Sequence, residues 1–163
     1  MPGKNKTEII AEPGKQELFI NREFDASRAD VFRAFGEPEL LMQWMGPREM
    51  KMEIEKLDNK SHGSYRFIHT DGKGNRYVFN GIIHEVAAPQ RVIRTFEFEG
   101  LPERGHVSLE FLNLESLAGN RTRIVIQVVF KSVDDRDAMI QSGMEKGVVD
   151  SHNRLDELIE KGF

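Results

Sequence analysis

The period of apolar and polar residues changes twice along the chain, and those changes mark out its elements. Across 18–24, Leu18, Ile20 and Phe24 alternate with Phe19, Asn21 and Glu23, the period of two expected of a strand with one buried face. Ser27, followed three residues later by Asp30, then predicts a capped helix that buries Val31, Phe32 and Phe35. Gly36 and Pro38 interrupt that helix, Pro38 opens a second short one through Leu40 and Leu41, and Gly46-Pro47 end it. Between 50 and 130 come six strand-like runs, separated by turn residues at 59–63, 71–75, 87–90, 100–105 and 117–120. Connections this short require antiparallel neighbours, because a parallel pair needs a crossover of about a dozen residues. From Ser132 the period becomes helical. Asp135 completes a second cap, and Ile140, Met144, Val148, Leu155, Leu158 and Ile159 recur at helical spacing. This predicts one continuous helix of nearly thirty residues, about 40 Å long.

The expected fold is α+β: a curved antiparallel sheet of about seven strands wrapped around a long C-terminal helix, with two short helices after the first strand. Residues 1–15, built around Ile9-Ile10, read as a loosely held arm or a short edge strand. Residues 16–163 read as one domain, within the usual size for a single core. The formal charge of −4 comes from interspersed acids and bases, and the only basic cluster is Lys4 and Lys6 near the start. Nucleic acid is therefore not an expected partner. No run approaches the roughly 18 apolar residues of a membrane span, and the first residues lack a secretory apolar core, so a cytoplasmic protein without membrane contact is expected. The chain has no cysteine, which removes thiol chemistry. Seven methionines suit adaptable apolar packing.

Strand parity nominates the residues that would face the helix. Tyr65, Phe67 and His69 share one face, as do Val92, Arg94, Phe96 and Phe98; Val107, Leu109 and Phe111 are the expected inner set of the next strand, and Phe79 joins them from its own. Arg94 stands out, because a guanidinium among Val92, Phe96 and Phe98 keeps its charge and needs an acid, a carbonyl, water or a ligand. Two readings stand side by side: an ion pair with an inner acid such as Glu85, or an anchor for an anionic or carbonyl-bearing ligand. His69 near the Asp71-Gly72 turn is either an exposed rim residue or a hydrogen-bond partner of a ligand. Trp44 and Met45 lie at the joint between the small helices and the sheet, where a mouth into a cavity would open. On the long helix Ile140, Met144, Gly147 and Val148 are candidate wall residues, with Gly143 and Gly147 on one face. Gly72-Lys73-Gly74 lies between strands and reads as a hairpin turn. No paired carboxylates, serine elbow or metal-site spacing is present, so neither a metal nor a cofactor is expected.

Phe24-Asp25-Ala26-Ser27, Trp44-Met45-Gly46-Pro47, the runs 81–89 and 94–100, and Arg136-Asp137 with Ser142-Gly143-Met144-Glu145-Lys146-Gly147 together resemble the activator of heat-shock-protein ATPase homologue family, in its bacterial branch. The motifs occur in order and span 8–158. The resemblance implies the START-like, helix-grip architecture shared with birch-pollen allergens and polyketide aromatase/cyclases. It transfers no catalytic residue. Met45 follows Trp44 where a second Trp is common in the branch, and Val148 is smaller than the frequent Trp, so both are expected to enlarge a cavity. The expected function is non-catalytic binding of a small hydrophobic or aromatic molecule between sheet and C-terminal helix, by a monomer or homodimer. The family name implies an alternative, a protein-interaction or chaperone-regulator module; a cyclase-like or hydrolytic enzyme using the same cavity is the third.

Overall fold

The computed structural model describes residues 5–163; Lys4 and the first residues of the arm lie outside the described residues. Eight strands and four helices follow one another as β1 (Glu8–Ile10), β2 (Glu17–Phe24), α1 (Arg28–Gly36), α2 (Pro38–Trp44), β3 (Lys51–Leu57), β4 (Ser64–Thr70), β5 (Arg76–Ala87), β6 (Arg91–Phe98), β7 (Val107–Leu117), β8 (Arg121–Val129), α3 (Val133–Gln141) and α4 (Met144–Lys161). The strands form one antiparallel sheet in the order β1-β2-β8-β7-β6-β5-β4-β3. β3 to β8 form a hairpin meander; β2 closes on β8, and β1 lies at the edge beyond β2.

Both serine caps form as their spacing predicts. Ser27 Oγ accepts from the Asp30 amide and Ser132 Oγ from the Asp135 amide, each at 3.1 Å. The C-terminal helix is not continuous. Gly143 adopts a left-handed conformation, φ 86°, and divides it into α3 and α4. A left-handed backbone is costly for any residue with a Cβ, and glycine removes that cost at the break. The Ser142 amide folds back onto Ala138 and Met139 carbonyls, closing α3. Gly143 and Gly147 therefore do not share a helix face. α4 has 18 residues and is about 27 Å long, well short of the span expected of one unbroken helix.

Cross-strand register fixes the concave face. Ile54, Phe67 and Phe79 are opposed across β3, β4 and β5, and Val92, Leu112, Ile126 and Ile20 across β6, β7, β8 and β2. α1, α2 and α4 cover part of this face. Phe24, Val31, Leu41, Trp44, Tyr65, Phe67, Ile83, Ile124 and Leu155 make the main core. Leu18, Ile20, Val128 and Phe130 make a second one, against which Met139, Met144 and Val148 pack. At about 25 cal/mol per Å² of apolar surface removed from water, side chains of this size contribute about 2 kcal/mol each.

A buried polar knot anchors α4. Arg22 lies on the inner face of β2, donates to Thr7 Oγ1 at 3.1 Å and Asn153 Oδ1 at 3.2 Å, and pairs with Asp156. Beside it His152 Nδ1 lies 2.7 Å from Thr7 Oγ1. Burial, followed by the charge of Arg22, pushes the His152 pKa down to about 3.

Candidate functional site

On the concave face the strands leave a cavity of about 40 Å³, partly open to solvent, between the sheet and α1. Phe32, Phe35 and Gly36 of α1, Phe67 of β4, Ile83 of β5, Val92 of β6, Leu112 of β7 and Ile126 of β8 form its largely apolar wall, with Leu57 and Asn59 at the β3 end. Arg94 and Glu110 are the charged groups that line it. They are cross-strand partners of β6 and β7, and Arg94 Nε donates to Glu110 Oε1 at 3.0 Å. Side-chain exposures of 24% and 19% place the pair inside the fold but within reach of water. The Tyr65 ring covers the guanidinium, its centroid 4.7 Å from Cζ, an attractive cation–π geometry.

Tyr65 is itself held across a neighbouring strand. Its hydroxyl donates to the Thr95 carbonyl at 2.5 Å. Gly81, opposite Tyr65 in the sheet, makes that crossing possible: a Cβ there would lie 2.0 Å from the Thr95 carbonyl oxygen and 2.6 Å from the Tyr65 hydroxyl. Burial raises the Tyr65 phenol far above its ordinary pKa, so it stays protonated.

The structure separates the nominated residues into groups. Phe67 and Arg94 line the cavity and Tyr65 backs it. Phe79 and Phe96 stack at 5.2 Å on the same face, half-buried, away from the cavity wall. Trp44 is core packing: its indole donates to the Ala34 carbonyl at 2.9 Å, its ring meets Phe35 edge-on, and Met45 packs beside that core. Met144 and Val148 belong to the second core, a Cβ placed on Gly147 would lie 3.7 Å from Pro47, and Ile140 is exposed. No residue of α4 lines the cavity, so its helical wall is α1 and not the C-terminal helix.

Three further sequence expectations differ from the structure. His69 is not an exposed rim residue: it is buried against Gly46, meets Phe79 edge-on at 5.5 Å, and its Nδ1 has no hydrogen-bond partner. Burial, then the Arg154 charge, lowers its pKa. Val107, Leu109 and Phe111 are not the inner set of β7. Val107 and Leu109 are exposed, while Ser108, Leu112 and Leu114 are buried, because register with β6 and β8 turns the even residues inward. Finally, the acid paired with Arg94 is not Glu85. An irregularity between Ile83 and Glu85 places Glu85 opposite Ile93 on the outer face, where it binds Arg91 at 2.8 Å. Glu110 was missed through the β7 parity; counting back from Leu112 and Leu114 puts it on the inner face.

A curved antiparallel sheet with helices on its concave face is the helix-grip architecture. The profile described as Activator of Hsp90 ATPase homolog 1-like protein matches residues 25–160, and the chain belongs to this family. Solved structures agree in fold. A protein from Rhodobacter sphaeroides superposes with a TM-score of 0.85 at 22% identity, covering 96% of this chain and 99% of that one. One from Mycobacterium smegmatis does so at 0.84 and 19%, over 93% and 95%, and the AHSA1 protein of Silicibacter pomeroyi at 0.74 and 23%, over 90% and 99%. Among curated proteins none matches the chain.

Proposed function

We propose that this protein binds a small, largely apolar molecule on the concave face of its sheet without transforming it. The observation that carries the reading is the Arg94–Glu110 pair set into a cavity whose other walls are mainly Phe, Ile, Leu and Val side chains. Apolar walls with few convergent polar groups are the usual make-up of a small-molecule site. A volume of about 40 Å³ accommodates two or three waters, or one small head group, so the rest of a ligand would extend out through the open side of the cavity. The non-catalytic part rests on the pair's chemistry: guanidinium and carboxylate are held to one another at 3.0 Å, and the nearby Tyr65 keeps its proton for the Thr95 carbonyl.

The test is amide NMR of the folded protein during titration with small aromatic compounds, together with native mass spectrometry of freshly purified material. Saturable shifts at Phe35, Ile83, Val92 and Leu112 are expected. Failure of a varied panel to give any saturable shift there would overturn the reading.

A second reading, a protein-interaction module, is favoured by the outer sheet face, where Ile82, Val107 and Leu109 are 59%, 39% and 36% exposed. It predicts that Leu109→Glu abolishes partner capture while leaving small-molecule binding intact.

A further inference from the structure

Resting on the small-molecule reading, we infer that the Arg94–Glu110 pair selects ligands with a neutral head group that both accepts and donates hydrogen bonds, a carboxamide or lactam, and not an anion. The pair makes a single hydrogen bond, Arg94 Nε to Glu110 Oε1. Among the described residues, no partner takes the two terminal amino groups of Arg94 or Oε2 of Glu110. Both side chains line the same cavity, which brings a residue with spare donors and one with a spare acceptor to one small volume. Tyr65 does not use them: its ring covers the guanidinium, while its hydroxyl is committed to the Thr95 carbonyl.

Charge then decides between head groups. A ligand carboxylate would gain Arg94 donors but set its negative charge beside Glu110, and the apolar walls around the pair weaken the screening of that repulsion. An ammonium would meet the converse conflict with Arg94. A hydrocarbon avoids both conflicts but displaces water from polar groups that it cannot satisfy. A carboxamide satisfies both members, its carbonyl accepting from an Arg94 amino group and its N–H donating to Glu110 Oε2. It adds no net charge to a pair that is already neutral. Its size suits a space of about 40 Å³, with an apolar remainder directed out through the open side.

The experiment compares phenylacetamide, phenylacetate and toluene, three probes sharing one ring, titrated separately into the unmodified protein at pH 7 and followed by amide NMR. The amide is expected to bind about tenfold or more tighter than either of the others, the scale of one good charge-assisted hydrogen bond. In Glu110→Gln the repulsion is gone and Arg94 is uncompensated, so phenylacetate should gain about tenfold relative to the amide. The unmodified protein is decisive even if that variant is unstable. Phenylacetate binding tightest to it would overturn the inference in favour of an anion anchor. Toluene binding as tightly as the amide would also overturn it, leaving the small-molecule reading intact. Absence of binding by all three would overturn both.

Discussion

Arg94 of β6 and Glu110 of β7 stand directly opposite each other across two antiparallel strands, joined at 3.0 Å on the concave side of the sheet. Neither is fully enclosed, and that sets the scale of their contribution to stability. Breaking a fully buried pair costs about 3–5 kcal/mol by leaving an uncompensated charge, whereas an exposed pair is worth less than about 1. Arg94→Met and Glu110→Gln are each expected to destabilise by about 1–3 kcal/mol. The double variant should lose less than the two singles combined, because no charge is then left alone. Urea unfolding of the four proteins checks this, and strict additivity would show that the pair is not coupled.

Tyr65 and Gly81 act as a unit. Tyr65→Phe removes one hydrogen bond and leaves the Thr95 carbonyl unpaired, a cost of about 1–2 kcal/mol. Gly81→Ala should destabilise by about 1–3 kcal/mol, since the added methyl meets backbone that cannot step aside. Thermal unfolding of the two variants provides the comparison; a neutral Gly81→Ala would mean that β6 is free to move away.

The two glycines near the helix break should respond in opposite directions. At Gly143 an added Cβ has open space around it but a left-handed backbone, so Gly143→Ala is expected to cost about 1 kcal/mol through conformation alone. Gly147 lies within α4, and a Cβ there would meet Pro47 only at ordinary contact distance. Gly147→Ala should therefore stabilise by about 0.5–1 kcal/mol, the propensity difference between the two residues. Unfolding midpoints of the two single variants would expose an error in sign at either position.

Acid should loosen the anchorage of α4. Folded His152 titrates near pH 3, against about 6.5 for an unperturbed histidine, so between these values the unfolded chain binds the extra proton. The stabilising effect of its neutrality is fully present above pH 6.5 and is lost as pH falls toward 3. Between pH 7 and pH 5 this amounts to about 2 kcal/mol. Asp156, whose carboxyl pKa is raised by burial despite the opposing Arg22, works in the other direction over the lower part of that window. Replacement of His152 by Gln should flatten the dependence between pH 7 and 5, as read by urea midpoints; an unchanged slope would remove His152 as its source.

Local pattern and turn chemistry determined much of this protein: both serine caps, the order of strands β2 to β8, the two short helices, the hairpin at Gly72-Lys73-Gly74 and an inward Arg94 are all consequences of nearest-neighbour spacing. The family was legible as well, because its motifs recur in order along the chain. What only the tertiary structure decided lies where one residue's position depends on a distant one. β7 carries apolar residues on both faces, Val107, Leu109 and Phe111 on one and Leu112 and Leu114 on the other, so alternation alone does not orient it; pairing with β6 and β8 does. The irregularity after Ile83 turns Glu85 outward, and Gly143 ends one helix and begins another where the apolar spacing runs on unbroken. Each is a one-residue event in the backbone. Because a strand reverses its faces with every residue, the irregularity after Ile83 takes Glu85 off the inner face and the β7 register brings Glu110 onto it, and the two together decide the partner of Arg94 and the chemistry of the cavity.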